Sequence, residues 1–410
     1  MKKKYAIVGA GGRCMYMFAL PLVEELSDVA QLVGICDVNE GRAKLMSERC
    51  GGVATYADFE RMLDETKPDT VIVTTIDSLH HDFIIRALRA GCDVITEKPM
   101  TIDADKCREI MKAEAETGKH VAVTFNMRFM PYVAKVKQLL RQGVIGDVLH
   151  VNVEWFLDTR HGADYFRRWH RHMEKSGGLL VHKSTHHFDM INWWLDDQPE
   201  TVQALGDLKF YGPNREERGE RCHTCAHSQS CSFYYNIAGN ERDRTLYLDN
   251  ESYDGYYRDR CVFSEEIDIY DTMAVQVRYE RGTTMSYSLS AYNPIEGWRA
   301  VLVGTKGRLI AEEFYPVNGE PMKPYSDIML YNELGEKTIV QCRLSSGGHG
   351  GGDPRLRDML FRDGVSDPLG QQAGTHAGAM SLLIGAGANL SIAEGRPVSI
   401  RELVDYGIYA

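Results

Sequence analysis

The sequence predicts an α/β protein with an N-terminal doubly wound parallel sheet and a C-terminal α+β domain built on an open, mostly antiparallel sheet. Three observations lead to this fold class. A chain of 410 residues is too long for one compact core. The first 125 residues alternate short apolar runs with amphipathic segments. Later runs alternate apolar and polar residues one by one, as half-buried strands do.

The first domain, residues 1–125, contains five apolar runs that are typical of buried parallel strands. They are YAIVGAG, QLVGICD, TVIVTTI, CDVITEK and HVAVTF. Amphipathic segments lie between them, including Phe83–Ala90 and Ala104–Thr117, and these predict helices packed on the sheet.

The second domain, residues 126–410, begins with a predicted helix over Pro131–Gln142. Another helix is predicted within GGLLVHKSTHHFDMINWWL, and strands are predicted at DVLHVNVEWF, TMAVQVRY, TTMSYSLSAY and RAVLVGT. Residues 206–268 are polar and rich in tyrosine, with no clear period. We interpret them as an insertion in the second domain.

Composition argues against several classes of protein. The net charge is −11 and the only basic run is Lys2–Lys4, which argues against a nucleic-acid surface. The apolar run after this basic start has about six residues, fewer than the roughly 7–15 of a signal peptide. No later run has the ~20 apolar residues of a membrane span. We therefore expect a cytoplasmic protein without a membrane partner, whose ten cysteines are thiols or metal ligands.

The stretch GAGGRC follows the first predicted strand and opens a helix. Gly9 and Gly11 allow a tight turn and a close approach to a pyrophosphate, and Gly12 and Arg13 lie at the helix N-terminus that meets its charge. After the second strand, Asp37 stands where a carboxylate accepts hydrogen bonds from the adenosine ribose and repels a 2′-phosphate. This order of features predicts NAD, rather than NADP, as the cofactor.

The stretch TTIDSLHHDFIIRALRAGCDVITEKPM, followed by VTFNMRFMP and the GVIGD turn, resembles the Gfo/Idh/MocA oxidoreductase family. Members of that family carry a Rossmann domain, a threonine-to-histidine loop, an EKP triplet and an open-sheet second domain. Where they usually have proline and asparagine, this chain has Ile76 and Asp77. The resemblance implies that the following residues border the cofactor and the substrate: Thr75, His80, Glu97, Lys98 and Asn126, with Arg128 on the substrate side.

Three histidines lie in the apolar segment after Gly177. If Ser176 caps one helix that runs through Leu195, His182 and His186 lie one turn apart on one face and Asp189 continues that face. In the family the corresponding helix has an aspartate, followed four residues later by the catalytic histidine. By this resemblance His186 is the catalytic histidine, and His182 replaces the aspartate, so that a shared proton and coupled titration are expected.

Hydride transfer from a secondary alcohol needs a base for the hydroxyl proton and a cation that polarises the oxygen. His186 suits the base, Lys98 suits the cation or a proton shuttle, and His182 relays the proton or positions the substrate. The alternatives are hydrogen-bonded core packing for the two histidines and a zinc site through their i, i+4 spacing. Lys183 reaches a substrate hydroxyl or is a solvated lysine.

Two further stretches predict a substrate site. LDTRHGADYFRRWHRH contains Tyr165, Arg168 and Trp169, a combination that suits the apolar face and the hydroxyls of a sugar ring, although a basic surface loop is the alternative. GGHGGGDPRLRDML places His349 and Asp353 in a loop too rich in glycine to pack a core. Such a loop resembles a substrate-site element of sugar-active family members.

The insertion contains RCHTCAHSQSC, in which Cys222, Cys225 and Cys231 have C-x2-C-x5-C spacing, and Cys261 follows. Four thiolates form a closed tetrahedral zinc site, and a structural zinc ion would order a segment that has little core of its own. An iron–sulfur cluster and unligated thiols are the alternatives.

The expected function is NAD-dependent oxidation of a secondary ring hydroxyl of a sugar, glycoside or cyclitol. One alternative is a redox-neutral, NAD-dependent glycosidase that oxidises its substrate transiently. A second alternative is a non-catalytic NAD-binding sensor. The resemblance also implies a homo-oligomer that pairs through the open sheet of the second domain.

Overall fold

The computed structural model describes residues 2–316, 320–321, 323–345 and 348–404. Its first sheet has six parallel strands: β1 (Lys3–Val8), β2 (Ala30–Cys36), β3 (Thr55–Tyr56), β4 (Thr70–Val73), β5 (Asp93–Thr96) and β6 (Val121–Val123). They lie in the order β3-β2-β1-β4-β5-β6. The helices of this region are α1 (Gly12–Cys14), α2 (Leu20–Glu24), α3 (Glu40–Arg49), α4 (Phe59–Thr66), α5 (His80–Arg89) and α6 (Ala104–Thr117). A π-helical turn (Met15–Ala19) joins α1 to α2, and a 3-10 turn (Asp77–Leu79) precedes α5.

The second sheet has nine described strands: β7 (Val148–Asp158), β8 (Pro199–Asp207), β9 (Thr272–Tyr279), β10 (Thr284–Asn293), β11 (Gly297–Gly304), β12 (Gly307–Phe314), β13 (Tyr325–Asn332), β14 (Lys337–Arg343) and β15 (Val398–Ser399). Their order is β14-β13-β12-β11-β7-β10-β9-β8-β15. β7 and β10 run parallel, and the other neighbours are antiparallel.

The remaining helices pack around this sheet or return to the first one: α7 (Pro131–Arg141), α8 (His161–Arg167), α9 (Met173–Ser176), α10 (Gly178–His182), α11 (Ser184–Leu195), α12 (Glu241–Leu246), α13 (Gly348–Phe361), α14 (Thr375–Glu394) and α15 (Ile400–Leu403). Short 3-10 turns lie at Asn126–Phe129, Trp169–Arg171, Cys222–Thr224 and Leu248–Tyr253. The parallel sheet followed by a mostly antiparallel one confirms the predicted fold class.

The predicted single helix through Leu195 is wrong, because a break at Lys183 interrupts it; another break, at Gly177, separates it from α9. Gly177 has a left-handed φ of 66° and ends α9, as glycine commonly does at a helix C-terminus. Ser176 does not cap a long helix, although its Oγ accepts a hydrogen bond from the Gly178 amide (3.0 Å). The break at Lys183 separates α10 from α11. His182 is therefore the last residue of one helix, and His186 belongs to the next.

Helix α14 is long and apolar enough to cross a membrane by length and composition alone. It packs, however, against α10, α11 and β8, and 61% of its apolar window is buried. This is the environment of a core helix, and it places α14 directly behind the helices that carry the histidines.

The chain after residue 348 returns to the N-terminal sheet. The Phe361 ring packs edge-on against Tyr5 of β1, with centroids 5.0 Å apart. The Val123 amide of β6 donates to the Ala373 carbonyl (2.8 Å). The division of the chain at residue 126 therefore stays a prediction, since later residues pack on both sheets.

The close contact between α14 and α10 can be tested by replacing glycines of α14. A Cβ atom on Gly385 would lie 2.3 Å from the Leu180 backbone oxygen, whereas one on Gly387 would meet side-chain atoms at 3.4 Å or more. Gly385→Ala should therefore destabilise the protein by roughly 1–3 kcal/mol through overpacking. Gly387→Ala should be neutral, or stabilising by up to about 1 kcal/mol, because alanine favours helices. Denaturant unfolding of both variants measures the difference; equal stability would contradict this packing.

Candidate functional site

Two adjoining cavities lie at the carboxyl ends of the first sheet's strands, where ligands of open parallel sheets bind. The first cavity has a volume of about 580 Å³ and the second of about 610 Å³. The residues that line both are Gly11, Thr74, Thr75, Arg168, Trp169 and Tyr247. The two cavities therefore meet at the glycine-rich turn.

The first cavity brings together most of the residues that the sequence singled out. They are Gly11, Gly12, Arg13, Thr75, His80, Glu97, Lys98, Asn126, Tyr165, Arg168, Trp169, His182, Lys183, His186 and His349. Gly9 and Asp37 line the second cavity.

Arg128, which the resemblance places beside the substrate, lines neither of the two cavities. Its guanidinium is buried and donates to both carboxylate oxygens of Asp189, at 2.8 and 2.6 Å. This buried, bidentate ion pair holds the 3-10 turn Asn126–Phe129 and helix α11 together. Asp189 is thus bonded to Arg128 and lines neither cavity.

The glycine-rich turn is built around the carboxylate of Asp37. Gly9 has a φ of 96°, and a Cβ there would lie 2.6 Å from the Thr74 carbonyl, so only glycine fits. Asp37 accepts hydrogen bonds from the amides of Ala10 (2.6 Å) and Asn39 (2.7 Å). These bonds fix the carboxylate at the end of β2, facing the second cavity.

Lys98 is held at the end of α10. Its Nζ donates to the backbone carbonyl of His182 (3.2 Å). This carbonyl is available because α10 ends there, and the C-terminus of a helix favours a cation. Burial lowers the pKa of Lys98, against the opposing effects of Asp77 and Glu97.

Asp77 is a site residue that sequence analysis noted only as a departure from the family. Its Oδ2 lies 2.5 Å from Nδ1 of His182, and both side chains are buried. Burial raises the pKa of Asp77 and lowers that of His182. The hydrogen bond therefore joins a weak acid to a weak base, and its proton can be held by either partner.

His186 is the third residue of α11 and lines the first cavity. Its Nδ1 is enclosed and has no hydrogen-bond partner among the described residues, so a ligand reaches the ring through Nε2. Burial, followed by the charges of Lys98 and Lys183, holds the pKa of His186 well below its usual value. The ring is therefore neutral near pH 7 and able to accept a proton.

A buried network centred on Asp353 fixes one side of the first cavity. Asp353 accepts hydrogen bonds from Arg13 (2.9 and 3.2 Å), Asn126 (2.7 Å) and His349 (2.9 Å), and Arg13 also donates to Glu97 (2.7 Å). Burial alone would raise the pKa of Asp353, but the His349 hydrogen bond and Arg13 hold it well below the usual carboxyl range. The kinked first part of α13, in which His349, Gly350 and Gly351 have left-handed φ angles, is thus bonded to the cofactor side of the site.

The opposite wall carries aromatic and imidazole rings. Trp169 stacks on His170, with centroids 3.7 Å apart, and His170 lies edge-on to His182 at 4.1 Å. The Tyr165 hydroxyl lies 3.0 Å from Nε2 of His161. These rings offer flat apolar surfaces next to polar atoms, as sugar recognition requires.

Lys183 also faces the first cavity, with its Nζ 5.7 Å from the centre of the Trp155 ring. Burial and the charge of Lys98 lower its pKa to about 8. It is therefore neither a solvated lysine nor a permanently charged one.

Part of this wall comes from residues that sequence analysis missed. Glu296, Trp298, Glu313 and Tyr315 line the first cavity from the strands around β11 and β12. They carried no local motif, and only the pairing of β11 with β7 brings them to the site. Glu313 and Tyr315 also line a third cavity of about 430 Å³, which includes the half-exposed rings of Phe314 and Tyr325.

The structure does not support the predicted zinc site at the cysteines of the insertion. Cys222, Cys225, Cys231 and Cys261 line one small cavity of about 20 Å³. However, no group of three or more His, Cys, Asp or Glu side chains is placed to hold a metal ion within the described ranges. Two guanidinium groups lie at the sulfur atoms instead: Arg167 is 3.2 Å from Sγ of Cys222, and Arg215 is 3.7 Å from Sγ of Cys231.

Comparison with known families matches nearly the whole chain. Residues 3–125 match the model described as an oxidoreductase family with an NAD-binding Rossmann fold. Residues 137–400 match the model of the C-terminal alpha/beta domain of an oxidoreductase family.

Similar proteins include "Putative oxidoreductase YteT" of Bacillus subtilis, which is 38% identical over 423 residues and covers 98% of each chain. Inositol 2-dehydrogenase of Rhizobium meliloti is 31% identical over 176 residues, 43% of this chain and 50% of that protein. A crystal structure of the WlbA dehydrogenase from Bordetella pertussis, in complex with NADH and UDP-GlcNAcA, has the same fold. Its TM-score is 0.68 at 18% identity, with 97% of this chain and 99% of that chain covered.

Proposed function

Since the chain belongs to the Gfo/Idh/MocA oxidoreductase family, we propose that it oxidises a secondary ring hydroxyl of a sugar, glycoside or cyclitol with NAD. One observation carries the proposal: Lys98, His182 and His186 line one cavity that opens onto the glycine-rich turn. The aromatic wall and the inositol-active relative support a polyhydroxylated ring as substrate.

The residues of the first cavity supply the proton chemistry. NAD, when bound, supplies the hydride acceptor for the carbon-bound hydrogen. His186, which is neutral near pH 7, takes the hydroxyl proton, and Lys98 polarises the same oxygen. The hydrogen bond between Asp77 and Nδ1 of His182 orients the His182 ring beside Lys98. From there His182 relays the proton or positions the substrate.

A second candidate is a redox-neutral glycosidase that oxidises its substrate transiently and returns the hydride. The third cavity favours it, because this space continues from the first past Glu313 and Tyr315 and offers room for an aglycone. Incubation with NAD and a panel of glycosides and inositols separates the two candidates. A dehydrogenase accumulates reduced nicotinamide, whereas the glycosidase releases aglycone without doing so. A catalytically silent sensor would do neither.

Replacing the base or the cation should abolish most of the activity. We expect His186→Ala and Lys98→Ala to lower kcat roughly 10²–10⁴-fold, the usual contribution of a general base, with little change in NAD binding. His150→Ala, at a half-buried position of β7 that lines neither cavity, is the matched control and should leave kcat unchanged. In the wild-type protein the acidic limb of kcat/KM should fall below pH 6.5, since burial lowers the pKa of His186. Wild-type rates in both active-site variants would refute this mechanism.

The protein should bind NAD more tightly than NADP. Asp37 faces the second cavity, and the charge of Arg42 is taken up by Asp254 (2.5 Å) and Asp37 (3.4 Å) rather than left for a 2′-phosphate. Asp37→Ser should narrow the preference, while Asp64→Ser, on the exposed face of α4, should not. Fluorescence titration with both reduced cofactors measures this, and tighter NADPH binding by wild type would overturn the assignment.

The second sheet is also proposed to pair with a second copy of the chain. Leu205, Ala274 and Ser288 lie side by side in one exposed row across β8, β9 and β10, and such open faces are commonly covered by a partner. Light scattering at micromolar concentration should show a dimer or a larger assembly. Leu205→Lys should weaken it, whereas Leu334→Lys, in the β13–β14 turn, should not. A monomeric wild type would count against the pairing.

A further inference from the structure

Part of the insertion crosses the glycine-rich turn. Residues 241–257, which include α12 and the 3-10 turn Leu248–Tyr253, are called the clasp below. They belong to the polar insertion of the second domain, yet they contact the first domain at three places.

The first contact is at the turn itself. The Gly12 amide donates to the hydroxyl of Tyr247 (2.9 Å). Leu246, beside it, is 2% exposed and packs into the N-terminal core with Ala10 and Cys14. The Gly12 amide is one of the N–H groups at a helix N-terminus that a dinucleotide turn offers to a pyrophosphate, and in this structure the Tyr247 hydroxyl occupies it.

The second and third contacts are on α3. Asp254 pairs with Arg42 (2.5 Å), and the Asn250 carbonyl accepts a hydrogen bond from Asn39 (2.8 Å). The two elements touch so closely that a Cβ on Gly41 would lie 2.1 Å from Oδ1 of Asn250. The clasp therefore packs directly against α3.

The other side of the clasp is anchored in the second domain. Arg258, just after it, makes a bidentate ion pair with Asp164 of α8 (2.7 and 3.1 Å). Arg221 pairs with Glu251 at 3.0 and 2.9 Å. The clasp thus bridges the two domains over the strand ends.

This bridge lies between the two cavities. Asp37 lines the second cavity and Lys98 the first, while Tyr247 lines both. A dinucleotide that reaches from Asp37 to Lys98 has to pass the glycine-rich turn, where Tyr247 lines both cavities and is bonded to the Gly12 amide.

We infer that the clasp retains NAD as a resident group, with Tyr247 covering the pyrophosphate position and the Arg42–Asp254 pair holding the clasp shut. NAD then enters and leaves only when the clasp parts from α3. This inference rests on the proposed use of NAD and adds to it that the cofactor exchanges slowly between turnovers. Slow exchange suits a reaction that returns its hydride within the same site.

The test compares the rates of NADH association and dissociation in the wild type and in Asp254→Asn. In Asp254→Asn the ion pair to Arg42 is weakened, so that the clasp opens more often. Stopped-flow NADH fluorescence should show association and dissociation both accelerated, roughly tenfold for a loss of about 1.4 kcal/mol, with a much smaller change in Kd. Loss of a direct cofactor contact would instead accelerate dissociation alone.

A control lies within the clasp. Asp249 pairs with Arg244 (2.9 Å), and both belong to the clasp itself, so Asp249→Asn should leave both rates unchanged. Hydrogen exchange of residues 241–257 should also slow when NADH binds to the wild type. Wild-type rates in Asp254→Asn, or dissociation accelerated alone, would overturn the clasp and leave the proposed function standing. Failure of the wild type to bind NAD(H) would overturn both.

Discussion

The candidate site depends on two hydrogen bonds between His182 and residues of the first domain. Lys98 donates to its backbone carbonyl, and Asp77 is hydrogen-bonded to its ring. Both partners lie on loops at the strand ends of the parallel sheet, whereas His182 ends a helix of the second domain. Because these groups are buried, leaving any of them unpaired would be costly. The contact therefore sets the position of one domain's histidines against the other domain's lysine.

The helix break at Lys183 makes this arrangement available. A continuous helix would use the His182 carbonyl in its own hydrogen-bond ladder, and Lys98 would lose its acceptor. The two departures from the family pattern, at positions 77 and 182, are also in contact in the structure. The carboxylate is absent from position 182 but present at position 77, and the structure brings it back to within 2.5 Å of residue 182. An acid thus remains next to the catalytic groups, supplied by the other domain.

The insertion shows how a segment with little apolar core becomes ordered. We expected a metal ion to order it, but the structure uses buried arginines. Arg221 pairs with Asp259 and Glu251, Arg258 with Asp164, and Arg167 lies against Cys222. The planar guanidinium offers several donors in fixed directions, so that one side chain can join several chain segments. The pairs of Arg221 with Glu251 and of Arg258 with Asp164 also hold the clasp beside the glycine-rich turn.

The sequence by itself determined the features that rest on local patterns. Apolar runs located β1, β2, β4, β5 and β6, and the motifs located the glycine-rich turn, Asp37, Lys98 and His186. Tertiary structure decided what depends on distant partners. β3 has two residues and no pattern of its own, and the buried pairing of Arg128 with Asp189 has no local signal in the sequence. Asp77, Glu296 and Tyr247 joined the site only through contacts between segments more than 100 residues apart. Local periodicity reports which face of an element is buried, but not which distant side chain shares that burial.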